Sequence, residues 1–60
     1  MNTGTAMYNG DRVYFTDTLY NQWADEMEYL IVHQSESFWV KQHELNGIRY
    51  NIAVIKGARA

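Results

Sequence analysis

The sequence predicts a small, mainly β domain, a curled antiparallel sheet or half-barrel of about four strands with one short helix or long loop between them. Three observations lead there. From Phe38 to Ile55, two apolar runs rich in β-branched and aromatic residues flank Asn46-Gly47, a pair suited to the two positive-φ positions of a type I′ hairpin turn. Gly10-Asp11 is a turn signal that feeds Arg12-Val13-Tyr14-Phe15, a strand-forming run. The 60 residues are 47% hydrophobic and 15% aromatic, enough large side chains for a packed core and too many for a disordered chain.

Taken in order, residues 1–9 show no periodicity and are expected to be a flexible N-terminal tail. Residues 10–56 make the single domain, and 57–60 a frayed end. The first strand covers 11–16, with Val13 and Phe15 on one face. Asp17 and Thr18 are both suited to capping a helix, and Leu19, Tyr20, Trp23, Met27 and Leu30 then recur at three- and four-residue steps. Thr18 to Glu28 is therefore expected as a short helix covering one sheet face, in preference to a long loop, since it holds neither Pro nor Gly. A flatter α+β sheet with that helix across it is the alternative architecture. Tyr29 to Gln34 reads as a strand, Ser35-Glu36 as a tight turn, Ser37 to Glu44 as the next strand, and Ile48 to Ile55 as the last.

A two-residue Asn46-Gly47 loop sets Leu45 opposite Ile48, Glu44 opposite Arg49 and Trp39 opposite Val54. A Ser35-Glu36 loop sets Val32 opposite Trp39 and Leu30 opposite Lys41. One face then carries Leu30, Val32, Trp39, Leu45, Ile48, Tyr50, Ile52 and Val54, and is expected to be the core. The other carries Tyr29, Ile31, His33, Phe38, Val40, Ala53 and Ile55. It is too apolar for plain solvent surface, so a helix, the curl of the sheet or another molecule should cover it.

The chain has no cysteine, which removes disulfides, thiolate metal sites and Cys nucleophiles, and fits a cytoplasmic location. No apolar run approaches the roughly 18 residues of a membrane span, and the N-terminal stretch lacks the pattern of a signal peptide. The formal charge of −2 opposes tight non-specific binding to nucleic acid, which needs several phosphate-neutralising cations.

Gly10-Asp11-Arg12-Val13-Tyr14-Phe15, followed after a long connection by three short strands joined by tight turns, resembles the small SH3-like barrels, including KOW-type modules. The opening Gly-Asp-x-Val-x-Phe strand is also similar to that of short uncharacterised proteins of Gram-positive bacteria and their phages. The resemblance in layout covers residues 10–55, and the literal match about six of them. The Gly-rich second half of the KOW pattern is missing, as are its basic surface and the acidic, aromatic loops of peptide-binding SH3 domains. No functional residue is carried over. The resemblance implies a fold, and binding rather than catalysis.

The residues themselves offer no enzyme. His33 and His43 fall on opposite faces of the expected sheet, no Gly-rich phosphate loop is present, and Asp25, Glu26 and Glu28 read as a solvated helix face. No cofactor or metal is implied. Two binding functions remain. The first is a small protein-interaction module, in one form a homodimer, that binds through Tyr29, Ile31, His33 and Phe38. The second is a nucleic-acid-binding accessory protein using Lys41, Arg49 and Lys56, with Trp39 and Tyr50 on one face as a stacking platform.

Overall fold

The computed structural model describes residues 2–51, which form a five-stranded antiparallel sheet. The strands are β1 (Gly4–Tyr8), β2 (Asp11–Asn21), β3 (Glu26–His33), β4 (Glu36–Lys41) and β5 (Leu45–Tyr50), in the spatial order β4-β3-β2-β1-β5. A single 3-10 turn at Gln42–Glu44 carries the chain from β4 at one edge to β5 at the other. The mainly β, curled sheet predicted from the sequence is the architecture observed.

Residues 4–8, expected to belong to a tail, form the strand β1 between β2 and β5. They do so because Asn9 and Gly10 both take positive φ, 50° and 85°, and close a two-residue hairpin with Tyr8 opposite Asp11. Inside that strand Ala6 is buried. Gly4 lies so close to its neighbours that a Cβ there would sit 2.0 Å from the Arg49 carbonyl oxygen and 2.6 Å from the Phe15 ring. A side chain at this position would push β1 away from β5.

The helix expected over 18–28 does not form. Strand β2 runs on to Asn21 and pairs with β3, placing Leu19 opposite Glu28 and Tyr20 opposite Met27. The intervening turn is local: the Asn21 Oδ1 accepts from the backbone N–H of Trp23 (2.9 Å) and Ala24 (3.1 Å), and Asp25 adopts a φ of 54°. Pairing both strand flanks satisfies their backbone groups across a ladder, which outweighs the helical spacing of the apolar residues.

The β3–β4 hairpin turns at Gln34-Ser35, one residue earlier than expected, with φ of 52° and 67°. His33 pairs with Glu36, Leu30 with Trp39 and Ile31 with Phe38. The register is thus displaced from the expected one by two residues, an even number, so each side chain keeps its assigned companions on a face.

The Asn46-Gly47 hairpin is also absent. Both residues lie inside β5, which pairs with β1 and not with β4. Gly47 is left-handed, with φ 58°, and the register gains one β5 residue between the Thr5-Arg49 and Met7-Asn46 pairs. This is a β-bulge. Without it, Leu45 and Ile48 would alternate to opposite faces; with it, Leu45 is buried and Ile48 also packs on the core. Positions 52–55, assigned to the two faces from the sequence, lie outside the described residues, as does the 57–60 end.

In β3 and β4 the core sits on the face opposite to the one expected, whereas Leu45 and Ile48, expected in the core, are found there. Among the described residues Ala6, Val13, Phe15, Tyr29, Ile31, Val40 and Leu45 are buried, with Tyr8, Met27, Phe38 and Ile48 packed against them. The curl brings strands that are not neighbours into contact across this interior. Phe15 of β2 lies edge-on between Tyr29 of β3 and Tyr50 of β5, at centroid distances of 4.9 and 5.3 Å, and the two tyrosine hydroxyls meet at 2.8 Å. Tyr8 of β1 similarly packs on Phe38 of β4 at 5.8 Å. The second apolar face is therefore covered by the sheet's own curl.

The crossing from β4 to β5 is fixed by carboxylates. The Lys41 backbone N–H donates to the Glu44 side chain, and Glu26 of β3 accepts from the His43 backbone N–H at 3.0 Å while its Oε2 lies 2.6 Å from His43 Nδ1. These hydrogen bonds, with that to the ring foremost, hold the Glu26 carboxyl below its ordinary pKa.

Candidate functional site

Because the apolar face built on Tyr29 and Ile31 is the interior, the outer face is the one open to a partner. Alternation along the strands points Tyr14, Leu30, Val32 and Trp39 outward, while Val13, Phe15, Ile31 and Val40 point in. Val32 lies opposite Tyr14, and Leu30 lies between Trp39 and Asp17 in neighbouring strands. A bulge at Thr16 of β2 resets the alternation, so that Leu19 follows Asp17 on the same outer face. Tyr14 is 65% exposed, Leu19 53% and Trp39 43%, and Val32 is open to solvent as well. The face thus presents a cluster of large apolar side chains across β2, β3 and β4. Beside it stands the β2–β3 turn, whose Trp23 is 91% exposed on a backbone held by the Asn21 side chain.

The residues expected to bind protein are placed differently. Tyr29 is 3% and Ile31 0% exposed, so neither is available to a partner. Burial, then the hydrogen bond to Tyr50, pushes the Tyr29 hydroxyl up to about 12. Phe38 and His33 are half-buried at the rim, where the His33 ring packs edge-on against Tyr8 at 5.2 Å and its Nε2 lies 3.0 Å from an Asp11 carboxylate oxygen. These four residues close the core and do not form a free patch.

Among the residues expected to contact nucleic acid, Lys41 lies 3.5 Å from Glu28, Arg49 is exposed on β5, and Lys56 lies outside the described residues. Trp39 and Tyr50 do not share a face: Trp39 points outward, whereas Tyr50, itself 42% exposed, turns its ring toward Phe15 and Tyr29 on the inner side. The acidic residues read as a solvated helix face are instead engaged with neighbouring groups. Asp25 accepts from the Tyr20 hydroxyl, Glu26 holds His43, and Glu28 takes both Lys41 and the Asn21 amide. The two imidazoles have separate carboxylate partners, and among the described residues no three His, Asp or Glu side chains gather as metal ligands.

Two concavities lie at the β1-β2-β5 side. One, of about 470 Å³, is lined by Tyr14, Phe15, Tyr50 and neighbouring residues of the β1 and β5 ends. The other, of about 350 Å³, is lined by Thr5, Ala6, Met7, Arg12, Gly47 and Arg49. Thr5 and Arg49 line both. Sequence reasoning missed Arg12 and Tyr14 as surface candidates, because it took β1 for a tail and so missed the strand that lies beside β2. The signal that would have found them is Asn9-Gly10, a hairpin turn that makes residues 4–8 the partner of β2.

Comparisons with family models, with curated proteins and with solved structures find no match. Among the described residues no helix is long and apolar enough to cross a membrane.

Proposed function

We propose that this protein is a small protein-interaction module that binds through the outer face of its sheet. The observation that carries the reading is the cluster of Tyr14, Leu19, Val32 and Trp39, large apolar side chains held open to solvent by strands whose opposite face is already packed. Aromatic side chains of this kind, ordered on a rigid strand, lose little entropy on contact and supply much of the energy at protein interfaces. Aliphatic Leu19 and Val32 on the same face as the aromatics favour a protein partner over a stack of bases. Self-association through the same face is one form of this function.

The test is a double variant, Tyr14→Ser with Trp39→Ser, both at exposed positions. Wild type and variant are compared by quantitative capture from lysate, and by light scattering over a concentration series. The proposal expects the variant to keep the wild-type circular dichroism spectrum while losing captured proteins or the dimer. Identical captured sets and identical mass would overturn it.

A further inference from the structure

The outer surface continues from the apolar cluster onto β1 and β5, and there its chemistry changes. Arg12 pairs across the ladder with Met7, and Arg49 with Thr5, so the two arginines flank the outward side of β1. Both line the smaller concavity, and neither has a carboxylate partner among the described residues. The bulge at Gly47 forms one wall, where open space rather than a side chain meets the glycine. The larger concavity adjoins through Thr5 and Arg49 and is aromatic, with Tyr14, Phe15 and Tyr50 in its lining. A cationic half and an aromatic half thus share one wall. A ligand that filled both would carry an anionic group directly beside an apolar one.

We infer that these two concavities together receive an extended acidic peptide segment of a partner protein, its carboxylate on Arg12 and Arg49 and an apolar side chain two residues away against Tyr14 and Tyr50. This rests on the protein-binding reading above and names the chemistry of the partner. Guanidinium groups match carboxylates through paired N–H donors, and in an extended segment side chains two residues apart lie on one side, so an acidic and an apolar residue at that interval face the two halves together. A chain of phosphates fits less well. It needs several cations along its length, and of those among the described residues Arg12 and Arg49 alone are without a carboxylate partner, Lys41 being engaged by Glu28.

The experiment is a titration of the labelled full chain, followed by backbone amide shifts, with acetyl-Ser-Glu-Ser-Phe-Ser-Glu-amide and with its Gln counterpart. The acidic peptide should shift the amides of Thr5, Arg12, Tyr14 and Arg49 and bind about fivefold more tightly than the Gln peptide at low salt. That preference should shrink with added salt, and the Arg12→Gln, Arg49→Gln double variant should abolish it with the rest of the spectrum intact. No binding, equal binding of the two peptides, or shifts that map elsewhere would overturn the inference. So would tighter binding of a ten-nucleotide oligothymidine, which would reassign the site to single-stranded nucleic acid. If the peptides fail while the Tyr14→Ser, Trp39→Ser variant still loses its partners, the outer face remains the binding surface and the acidic segment alone is wrong.

Discussion

The two faces of this sheet are nearly alike in composition and opposite in fate. The inner face carries Phe15, Tyr29, Ile31 and Val40 and is shielded from water; the outer carries Tyr14, Leu19, Val32 and Trp39 and is exposed. Hydrophobicity does not separate them. What does is curvature, which closes β1 and β5 over one face so that Tyr8 reaches Phe38 and Tyr50 reaches Tyr29. The inner apolar groups stabilise the fold, and the outer ones are left for association.

The largest loss of stability is expected at the centre of the core. Ile31→Ala or Phe15→Ala should cost about 3–5 kcal/mol in urea unfolding, a large part of what a domain of this size has, so either variant should be largely unfolded. Core burial also shows at high pH. Tyr29 keeps its proton to about 12 in the fold against an ordinary value of 10.0, so its burial contributes stability that is present below pH 10 and lost as pH rises through that interval. An ultraviolet titration should show one tyrosine ionising late, together with unfolding.

The next largest effect is expected at Gly4, where Ala must displace the Arg49 carbonyl or the Phe15 ring. Gly4→Ala should destabilise by about 1–3 kcal/mol, and solvent exchange of the β5 amides should rise most. In the opposite direction, Gln34→Asn with Ser35→Gly should stabilise by about 1 kcal/mol, because two residues now sit at positive φ in a turn that Asn-Gly adopts with less strain. Smallest are substitutions on the outer face: Trp39→Ser should change stability by less than about 0.5 kcal/mol while removing association. A loss comparable with that of Ile31→Ala would mean that the outer face is structural too. At acid pH the Glu26-His43 contact should weaken as pH falls through the lowered Glu26 value, seen as faster exchange at the Gln42–Glu44 turn.

Much of the fold was legible locally. The alternation in Val13-Tyr14-Phe15 and in Tyr29 to His33 identified strands and sorted their side chains into two sets. That sorting survived the displaced β3–β4 register because the displacement was even. The segment 18–28 was not legible, since Leu19, Trp23 and Met27 fit a helix while the backbone found a partner in β3. The candidate site was legible in part. Its arginine on β5 could be named from the sequence, but its neighbours Arg12 and Tyr14 depend on which strand lies beside β2.

What the sequence determined by itself was the β class and the side-chain partition along 13–15, β3 and β4, because both depend on residues one or two positions apart. The tertiary structure decided which partition became core, and the two Asn-Gly pairs show why. Asn9-Gly10 closes a hairpin with both residues at positive φ, whereas in Asn46-Gly47 the glycine alone is left-handed and makes a bulge within a strand. Identical local chemistry serves a turn where the chain's next partner is itself, and a bulge where that partner is the distant strand β1, with Asn46 opposite Met7. Propensity permits both conformations, and strand pairing across the whole sheet selects between them.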